Sequence, residues 1–276
     1  MVNTIYKEDL FADKVALVTG GGSGIGRRTA RELAQLGARV VIAGRNEEKL
    51  QESVRMISEE GGTASYVICD IRDVEAVERA VAEAVQQAGT IDLLVNNAGG
   101  QFPKKAEEIS PNGWRAVIDN NLNGTFFMTQ VVFNQVFKEK GGVIVNIIAE
   151  IGRGFPIMCH TGAARAGVEN MTKTLATEWG RYGVRINAVA PGTIQSSGLD
   201  TYDPAFRERA LASGKTKAVY RLGTEAEISA AILYLLSPAA GFVTGETLKV
   251  DGGDPLYEPR MPPADSGGKH PAFDDD

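Results

Sequence analysis

The sequence predicts an α/β fold, in which one doubly wound parallel sheet of seven strands carries helices on both faces. Seven short runs rich in β-branched residues alternate with longer stretches that carry apolar residues at helical spacing. Most of the short runs are continuously apolar, which is typical of strands that helices cover on both faces. Gly37, Gly61 and Gly89 stand where three of the helices are expected to end. Together these patterns favour right-handed β-α-β units on a single sheet.

The predicted elements follow one another along the chain without an internal repeat. Strands are expected at 15–20, 39–44, 64–70, 92–99, 142–148, 184–192 and 246–253. Helices are expected at 25–36, 47–60, 73–88, 111–138, 162–181 and 225–236. Ser110 and Pro111 predict the start of the fourth helix, since serine caps helices and proline suits their first position. We expect one domain over residues 1–253, followed by an extended acidic tail over 254–276 with no core of its own.

Composition and charge narrow the classes of function. With 276 residues and 43% hydrophobic content, the chain is long enough to bury one substantial core. A net charge of -6 and scattered Lys and Arg argue against nucleic acid or anionic membranes as partners. Because no segment has signal-peptide character or about 18 consecutive apolar residues, we expect a cytoplasmic protein. Cys69 and Cys159 lack metal-binding or disulfide spacing, so we expect no metal site and interpret both as small core residues.

A glycine-rich segment, TGGGSGIG at 19–26, links the first predicted strand to the first helix. Its glycines permit a tight turn and close approach of a ligand to the backbone, and the free N–H groups of the helix favour a pyrophosphate. Such a loop alone also fits an ordinary turn, but its place between strand and helix favours a Rossmann-type dinucleotide site. The contacts are expected from Gly20, Gly22, Ser23, Gly24 and Ile25.

The end of the second strand bears on which dinucleotide is bound. An acidic residue there would accept hydrogen bonds from the ribose 2′-hydroxyl, but the segment reads Ala43-Gly44-Arg45. The guanidinium of Arg45 has the geometry to pair with a 2′-phosphate. A solvated arginine at the start of a helix is the alternative interpretation. We therefore predict NADP rather than NAD as the cofactor.

Four motifs occur in the order and spacing of the short-chain dehydrogenase/reductase family: TGGGSGIG, Cys69-Asp70-Ile71, Asn96-Asn97-Ala98-Gly99 and Pro191-Gly192. The resemblance covers residues 11–253. It implies adenine contacts for Asp70 and Ile71, ribose contacts for Asn97, Ala98 and Gly99, and nicotinamide contacts for Pro191, Gly192, Thr193 and Ile194. It also implies a substrate lid at about 195–222 and a homotetramer formed through helices 111–138 and 162–181.

The proton-transfer groups of that family are largely missing. Most members use an Asn, Ser, Tyr and Lys tetrad, in which a YxxxK pair lets lysine lower the pKa of tyrosine. Asn121 stands at the asparagine position, whereas Ile148 and Ala149 occupy the window in which serine is expected. The YxxxK slot begins at Thr161 and ends at Arg165. The sequence therefore carries neither the phenol nor the lysine.

Three explanations for this loss remain open. The first is reduction of the C=C bond of an unsaturated thioester, which requires hydrogen-bond donors to the thioester oxygen rather than a phenol. A second explanation is a dehydrogenase of a branched or terpenoid alcohol or aldehyde that uses another acid. The third is a cofactor-binding protein with little catalysis.

A closer resemblance favours the first explanation. The segments NNAGGQF, LNGTFF and HTGAARAG are similar to the branch that contains trans-2-enoyl-CoA reductase and 2,4-dienoyl-CoA reductase, which also lacks the usual YxxxK pair. In the dienoyl reductases an asparagine and a tyrosine bind the thioester oxygen, and the matching positions are Gln101 and Ile148. Gln101 retains an N–H donor, whereas isoleucine donates nothing. The resemblance thus implies an acyl-CoA substrate near Gln101, Phe102 and Ser110, although Ser110 equally fits a helix cap.

The remaining candidates lie around the YxxxK slot and in the lid. Arg165 is expected to donate to the nicotinamide ribose, with a structural ion pair as the alternative. Thr161 fits either a substrate or ribose contact or a helix N-cap. His160 has a pKa range suited to proton transfer, but a purely structural histidine is the alternative. The basic lid residues Lys215, Lys217 and Arg221 would pair with CoA phosphates or lie on a solvated face.

Overall fold

A computed structural model describes residues 4–256 and 261–273 of the chain. The strands are β1 Val15–Thr19, β2 Arg39–Gly44, β3 Thr63–Ile68, β4 Leu93–Asn96, β5 Gly142–Ile147, β6 Val184–Pro191, β7 Ile194–Gln195, β8 Gly223–Thr224 and β9 Thr247–Val250. Seven of them form a parallel sheet in the order β3-β2-β1-β4-β5-β6-β9, and β7 and β8 form a small second sheet. The predicted doubly wound, seven-stranded fold is confirmed.

The helices lie between the strands, as the periodicity predicts. They are α1 Gly24–Gln35, α2 Glu47–Glu59, α3 Val74–Ala88, α4 Pro111–Ile118, α5 Gly124–Val132, α6 Lys138–Lys140, α7 Cys159–Trp179, α8 Pro204–Ala212 and α9 Glu225–Leu236. The predicted helix 111–138 corresponds to α4, α5 and the start of α6, which two π-helical segments, Asp119–Asn123 and Phe133–Phe137, join. π-helical turns often occur at functional sites, and the first of these contains Asn121.

Side-chain caps and glycines fix the ends of several helices. Ser110 Oγ accepts a hydrogen bond from the backbone N–H of Gly113 at 3.1 Å, with Pro111 at the first position of α4. Thr224 and Glu227 form a reciprocal capping box at the start of α9. Gly89 ends α3 with a φ of 86°, a left-handed conformation that glycine adopts without strain. The helix boundaries expected at Ser110 and Gly89 are thus confirmed.

The continuous apolar character of the strands has a direct structural cause. In β2, Val41 and Ala43 belong to the core beneath α3, α5 and α7, whereas Val40 and Ile42 belong to the core beneath α1, α2 and α9. All four are buried. Both faces of the sheet are therefore covered, which is why the sequence shows an apolar run rather than alternation.

Two sequence-based expectations about local structure are wrong. Helix α7 begins at Cys159 rather than at 162, so Thr161 lies inside its first turn and is not the N-cap. Cys159 is exposed there, whereas Cys69 is buried as expected. The segment 195–222 contains a regular helix, α8, which Asp203 caps through its bond from the backbone N–H of Phe206. The Asp203-Pro204 pair is the same signal as Ser110-Pro111, so the sequence did carry it.

The described C-terminal segment, 261–273, lies against the body of the protein. The guanidinium of Arg221 donates to the carbonyl oxygens of His270 and Pro271, at 2.8 and 3.1 Å. Thr224 Oγ1 donates to the carbonyl of Phe273 at 2.7 Å. Residues 274–276 lie outside the described residues, and the domain boundary at 253 stays a prediction. Within the described ranges, no helix combines the length and apolar character needed to cross a bilayer.

Candidate functional site

A cavity of about 500 Å³ lies at the carboxyl ends of β1 to β4, where the strand order reverses and open α/β sheets bind ligands. Nine of the residues predicted to bind a dinucleotide line it: Gly20, Gly22, Ser23, Arg45, Asp70, Ile71, Asn97, Ala98 and Gly99. Gly24 and Ile25 form the first turn of α1 next to it. Sequence reasoning missed seven further lining residues, among them the polar Asn46, Lys49 and Asn120.

Hydrogen bonds lock the glycine-rich loop to the segment that follows β4. Thr19 Oγ1 accepts from the backbone N–H groups of Asn97 and Ala98, each at 3.0 Å. The side-chain amide of Asn97 donates to the carbonyl of Thr19 at 3.0 Å. A Cβ on Gly26 would lie 2.4 Å from that amide nitrogen and 2.5 Å from the carbonyl oxygen of Gly20. The loop is therefore held in one conformation, and only glycine fits at position 26.

Two cationic side chains border the cavity at its Arg45 end. Arg45 precedes the N-cap of α2 and Lys49 lies in the first turn of that helix; both are exposed, and neither forms an ion pair within the described residues. Asp70 is held by Arg72 at 2.5 Å, and this bond, supported by the charge of Arg45, lowers the pKa of the Asp70 carboxyl. Asp70 is consequently ionised at neutral pH. The spacing of Lys49 from Arg45 was the signal that could have identified Lys49 from the sequence.

A buried ladder of amides and hydroxyls joins the two central strands to the helices over them. Asn96 Nδ2 donates to Asn146 Oδ1 at 2.9 Å and to Thr129 Oγ1 at 2.8 Å. Asn146 Nδ2 donates in turn to Thr172 Oγ1 at 2.9 Å. Thr129 lies on α5 and Thr172 on α7. Since buried polar groups are costly without partners, this network fixes α5 and α7 relative to the ends of β4 and β5.

Asn121 holds the backbone that follows β4. Its Nδ2 donates to the carbonyls of Gly100 at 2.6 Å and Val117 at 2.8 Å, and its Oδ1 accepts from the N–H of Gly100 at 3.3 Å. The side chain is fully buried. Within this structure, therefore, Asn121 positions Gly100 and the neighbouring Gln101.

Arg165, in the slot of the family lysine, lies beside Gly99, as Asn121 does. Its Nη1 donates to the carbonyl of Ile147, the last residue of β5, at 2.8 Å. Its Nη2 lies 2.5 Å from where a Cβ on Gly99 would be, so a side chain at position 99 would displace the guanidinium. Burial lowers the pKa of Arg165 to about 10, and the guanidinium remains protonated at neutral pH. No ion pair joins it to a described residue, so the alternative of a structural ion pair is wrong there.

His160 and Thr161 share a buried hydrogen-bond arrangement. The backbone N–H of Thr161 donates to His160 Nδ1 at 2.8 Å, and Thr161 Oγ1 lies 3.2 Å from the same nitrogen. An accepting Nδ1 places the proton of the neutral ring on Nε2. Nε2 is buried and makes no hydrogen bond with a described residue. Burial lowers the pKa of His160, which the backbone of Met158 only partly offsets, so the ring is neutral at neutral pH.

Phe102 and Gln101 cover this group of residues. The ring of Phe102 stands edge-on to His160, with centroids 4.6 Å apart. The amide of Gln101 donates to the phenolic oxygen of Tyr202, in the predicted lid, at 3.0 Å. Ser110 caps α4, as its alternative interpretation predicts. Ile148 is buried in an apolar cluster with Val168, Ala188 and Ala190, so a hydrogen-bonding group is absent from this position.

The segment predicted to meet the nicotinamide lies at the end of β6. Gly192 donates to the carbonyl of Val250 at 3.0 Å, and a Cβ there would lie 2.8 Å from the Cα of Asp251. Thr193 and Ile194 line a second cavity of about 180 Å³. Pro191 ends the strand. Thr193 and Ile194 therefore border a cavity different from the one that Arg45 borders.

Two of the basic lid residues have partners inside the protein. Lys217 is 3% exposed and forms an ion pair with Asp254 at 2.7 Å. Arg221 binds Glu227 at 2.5 Å as well as the carbonyls of the C-terminal segment. The alternative interpretation of these residues, a solvated face of the lid, is therefore wrong for Lys217 and Arg221. In this structure neither side chain is available to a CoA phosphate. Lys215 is exposed.

This geometry agrees with what the chain resembles among known proteins. A family model described as Enoyl-(Acyl carrier protein) reductase matches residues 20–254. The protein is a member of the short-chain dehydrogenase/reductase family. It is 40% identical over 253 residues to the peroxisomal 2,4-dienoyl-CoA reductase of Danio rerio, covering 90% of this chain and 84% of the relative.

Two further proteins to which this chain is similar are relevant to the reaction. A probable 2,4-dienoyl-CoA reductase of Bacillus subtilis is 41% identical over 246 residues, which covers 87% of this chain and 96% of the relative. A solved structure of the citronellol catabolism dehydrogenase AtuB from Pseudomonas aeruginosa PAO1 superposes with a TM-score of 0.82 at 47% identity. The superposition covers 91% of this chain and 98% of the AtuB chain. The protein is thus an oxidoreductase of this family, with relatives of two substrate classes.

Proposed function

We propose that the protein reduces the C=C bond of a 2-enoyl-CoA or 2,4-dienoyl-CoA thioester with NADPH. The main observation in support of this proposal is which residues occupy the YxxxK slot. Thr161 and the buried Arg165 replace the phenol and the lysine, while N–H donors at Gln101 and His160 lie close by. Donors without a proton-exchanging pair suit an oxygen that gains charge during the reaction and is not itself protonated. The 2,4-dienoyl-CoA reductases among the relatives support the same reaction.

The residues at the carboxyl edge fit a dinucleotide that carries a 2′-phosphate. The glycine-rich loop has the close backbone approach that a pyrophosphate requires, and Asp70 and Ile71 line the cavity where adenine is expected. Arg45 and Lys49 would bind the 2′-phosphate, and Arg165 and the loop from Pro191 to Ile194 would hold the nicotinamide end. When bound, NADPH supplies a hydride to the substrate.

The protein's own groups would act on the thioester oxygen. As a carbon of the conjugated C=C bond is reduced, negative charge moves onto this oxygen, and N–H groups directed at it lower the energy of that state. Gln101 has one N–H in its bond to Tyr202 and a second N–H available. His160 is neutral and holds its proton on Nε2, so it would serve as a donor when Phe102 moves off its ring.

The proposed reaction is tested with a panel of substrates. We expect NADPH oxidation with crotonyl-CoA, longer 2-enoyl-CoA or 2,4-dienoyl-CoA esters, and mass spectrometry should find the saturated or 3-enoyl thioester. A panel of acyclic terpenols with NADP⁺ and NAD⁺ serves as the comparison. Inert CoA esters together with oxidation of a terpenol would overturn the proposal.

A terpenoid alcohol or aldehyde is the second candidate substrate. It is favoured by the 47% identity to a dehydrogenase of citronellol catabolism, which exceeds the identity to the two dienoyl reductases compared above. This reaction would need an acid or base for the substrate oxygen, and His160, neutral at neutral pH, directly precedes the slot.

The choice of NADPH is tested at Arg45. The Arg45→Ala variant should bind NADPH about 10- to 100-fold more weakly, because a charge-assisted bond to phosphate is lost, while its affinity for NADH stays the same. Fluorescence titration measures both dissociation constants. Arg55→Ala is the matched control, because Arg55 lies in the helix that follows Arg45 but is paired with Glu52 and Glu59 and lies outside the cavity. Unchanged NADPH affinity in Arg45→Ala would refute the assignment of NADP.

The oligomeric state is inferred from the family resemblance alone. We propose a homotetramer formed through the stretch from α4 to α6 and through α7. Trp114 on α4 is 40% exposed, which is consistent with a covered face in an assembly. A mass measurement in solution should give four times 29.4 kDa. A monomer would contradict this proposal, and the cytoplasmic location stays a prediction.

A further inference from the structure

We propose that Tyr202, in the lid, donates a hydrogen bond to the thioester oxygen beside the one from Gln101, and so supplies the phenol that the YxxxK slot lacks. The proposal rests on the proposed function, because it concerns the oxygen of an unsaturated thioester. It assigns a role to a residue that no motif in the sequence identifies. The evidence is the position of Tyr202, the structure of the lid around it and the hydrogen bond that it accepts.

Tyr202 contacts Gln101, one of the predicted catalytic residues. Its phenolic oxygen is 3.0 Å from the Nε2 of Gln101, a residue 101 positions earlier in the chain. Gln101 follows Gly100, whose N–H and carbonyl are both bound by Asn121, and precedes Phe102, whose ring packs on His160. The phenol is thereby placed at the mouth of the site that contains Asn121 and His160.

The lid is folded in a way that fixes this tyrosine. Tyr202 immediately precedes Asp203, whose carboxylate caps α8, and its ring packs against that of Phe206 with centroids 4.6 Å apart. A contact between the residue before a helix cap and the first turn sets the direction from which the chain enters the helix. The guanidinium of Arg209 lies 5.9 Å from the ring of Phe206 on its helix. The ring of Tyr202 is thus held by local structure, independently of its hydroxyl.

The hydrogen bond leaves the phenol proton available. In the bond with Gln101 the tyrosine oxygen is the acceptor, and its O–H donates to none of the residues that the structure describes. The pair therefore presents two unused donors side by side, the phenol O–H and the second N–H of Gln101. Acceptance of a bond from an amide also polarises the O–H and strengthens it as a donor.

Two donors suit the charge that develops during the proposed reaction. Hydride from NADPH forms a C–H bond at a carbon conjugated to the thioester, the C=C electron pair moves toward the carbonyl, and its oxygen becomes an enolate oxygen. The donors at Tyr202 and Gln101 would stabilise this oxygen, and a proton from water would complete the saturated carbon. Ile148, at the position matching the tyrosine of the dienoyl reductases, is buried among apolar side chains and provides no donor. The lid would replace it.

The Tyr202→Phe variant tests the hydroxyl alone, since the ring and its packing on Phe206 are retained. We expect kcat with the best CoA ester to fall about 10- to 100-fold, with little change in KM or in the NADPH dissociation constant. Tyr182→Phe is the matched control. It removes a hydroxyl that accepts from Arg181 beside the start of β6, at the opposite edge of the sheet, and should behave like the wild type.

A spectroscopic measurement separates a donor from a latch that merely closes the lid. Cinnamoyl-CoA bound in the presence of NADP⁺ should show an absorption maximum shifted to longer wavelength, because donors polarise its conjugated carbonyl. At saturating ligand this shift should shrink in Tyr202→Phe and also in Gln101→Leu. The combined variant should lose no more than about the larger single effect, since the two residues act as a unit.

The possible outcomes distinguish this proposal from the proposed function. If the wild type reduces no CoA ester, the proposed function fails and this inference fails with it. If the wild type is active and Tyr202→Phe retains both its kcat and the absorption shift, only the inference is overturned. A raised KM with unchanged kcat and unchanged shift would show a latch and would also overturn it.

Discussion

Replacing Arg165 by methionine should lower kcat/KM by about 100-fold or more while the protein still folds. The guanidinium is buried, donates to the last carbonyl of β5 and lies against Gly99, so it sets the geometry on which the nicotinamide ribose would rest. A lost donor at such a position costs about 3 kcal/mol in the transition state. Loss of the bond to Ile147 leaves one buried carbonyl unpaired, which costs about 1–3 kcal/mol of stability. That loss is smaller than the total stability of a typical domain.

The measurements are steady-state kinetics with the best CoA ester, NADPH titration and thermal unfolding. Arg185→Met is the matched control, because Arg185 also donates to backbone carbonyls, those of Leu235, Val243 and Ser237. It should lower the unfolding temperature without a comparable loss of kcat/KM in the folded protein. If both variants lose activity in proportion to their loss of stability, Arg165 has no specific role.

The Gly26→Ala variant should lose most of its dinucleotide affinity and part of its stability. The added methyl would lie 2.4 Å from the amide nitrogen of Asn97 and 2.5 Å from the carbonyl oxygen of Gly20, and one of these contacts is with backbone. Overpacking of this kind costs about 1–3 kcal/mol, and relief requires movement of the loop that would bind the pyrophosphate. We expect an unfolding temperature several degrees lower, at about 2–4 °C per kcal/mol, and NADPH binding weakened more than 100-fold.

Gly180→Ala provides the control for this substitution. Gly180 has a φ of -53°, and a Cβ there would meet no atom within 4 Å, so alanine should be neutral or slightly stabilising. Differential scanning calorimetry and fluorescence titration of both variants make the comparison. Wild-type NADPH affinity in Gly26→Ala would show that the loop does not take part in binding.

The sequence predicted the dinucleotide-binding half of the site better than the catalytic half. The dinucleotide half rests on local signals, a glycine loop between strand and helix and a basic residue after β2, and nine of its predicted residues line one cavity. Such motifs can be interpreted from the sequence because residues that are adjacent in sequence remain adjacent in the folded protein. Arg45 was therefore identified from the sequence alone, whereas Lys49, in the first turn of the helix that follows, was missed.

The catalytic half depends on contacts between distant parts of the chain. Asn121 is present at the expected position, but its amide is engaged by Gly100 and Val117, which no local pattern reveals. The proton of His160 is placed by the N–H of Thr161, which becomes a partner only because α7 begins at Cys159. Helix boundaries are the least reliable part of such predictions, so the protonation of this ring was beyond the sequence.

By itself the sequence determined the doubly wound sheet, the edge at which a dinucleotide would bind and the absence of the YxxxK pair. Periodicity and residue identity carry these properties directly. Only the tertiary structure decided which polar side chains form hydrogen bonds or ion pairs within the protein and which still have a donor available for a ligand. It brought Tyr202 to Gln101, placed Ile148 among apolar residues and paired Lys217 with Asp254. Such assignments depend on packing between segments that are far apart in the chain, and no local spacing records them.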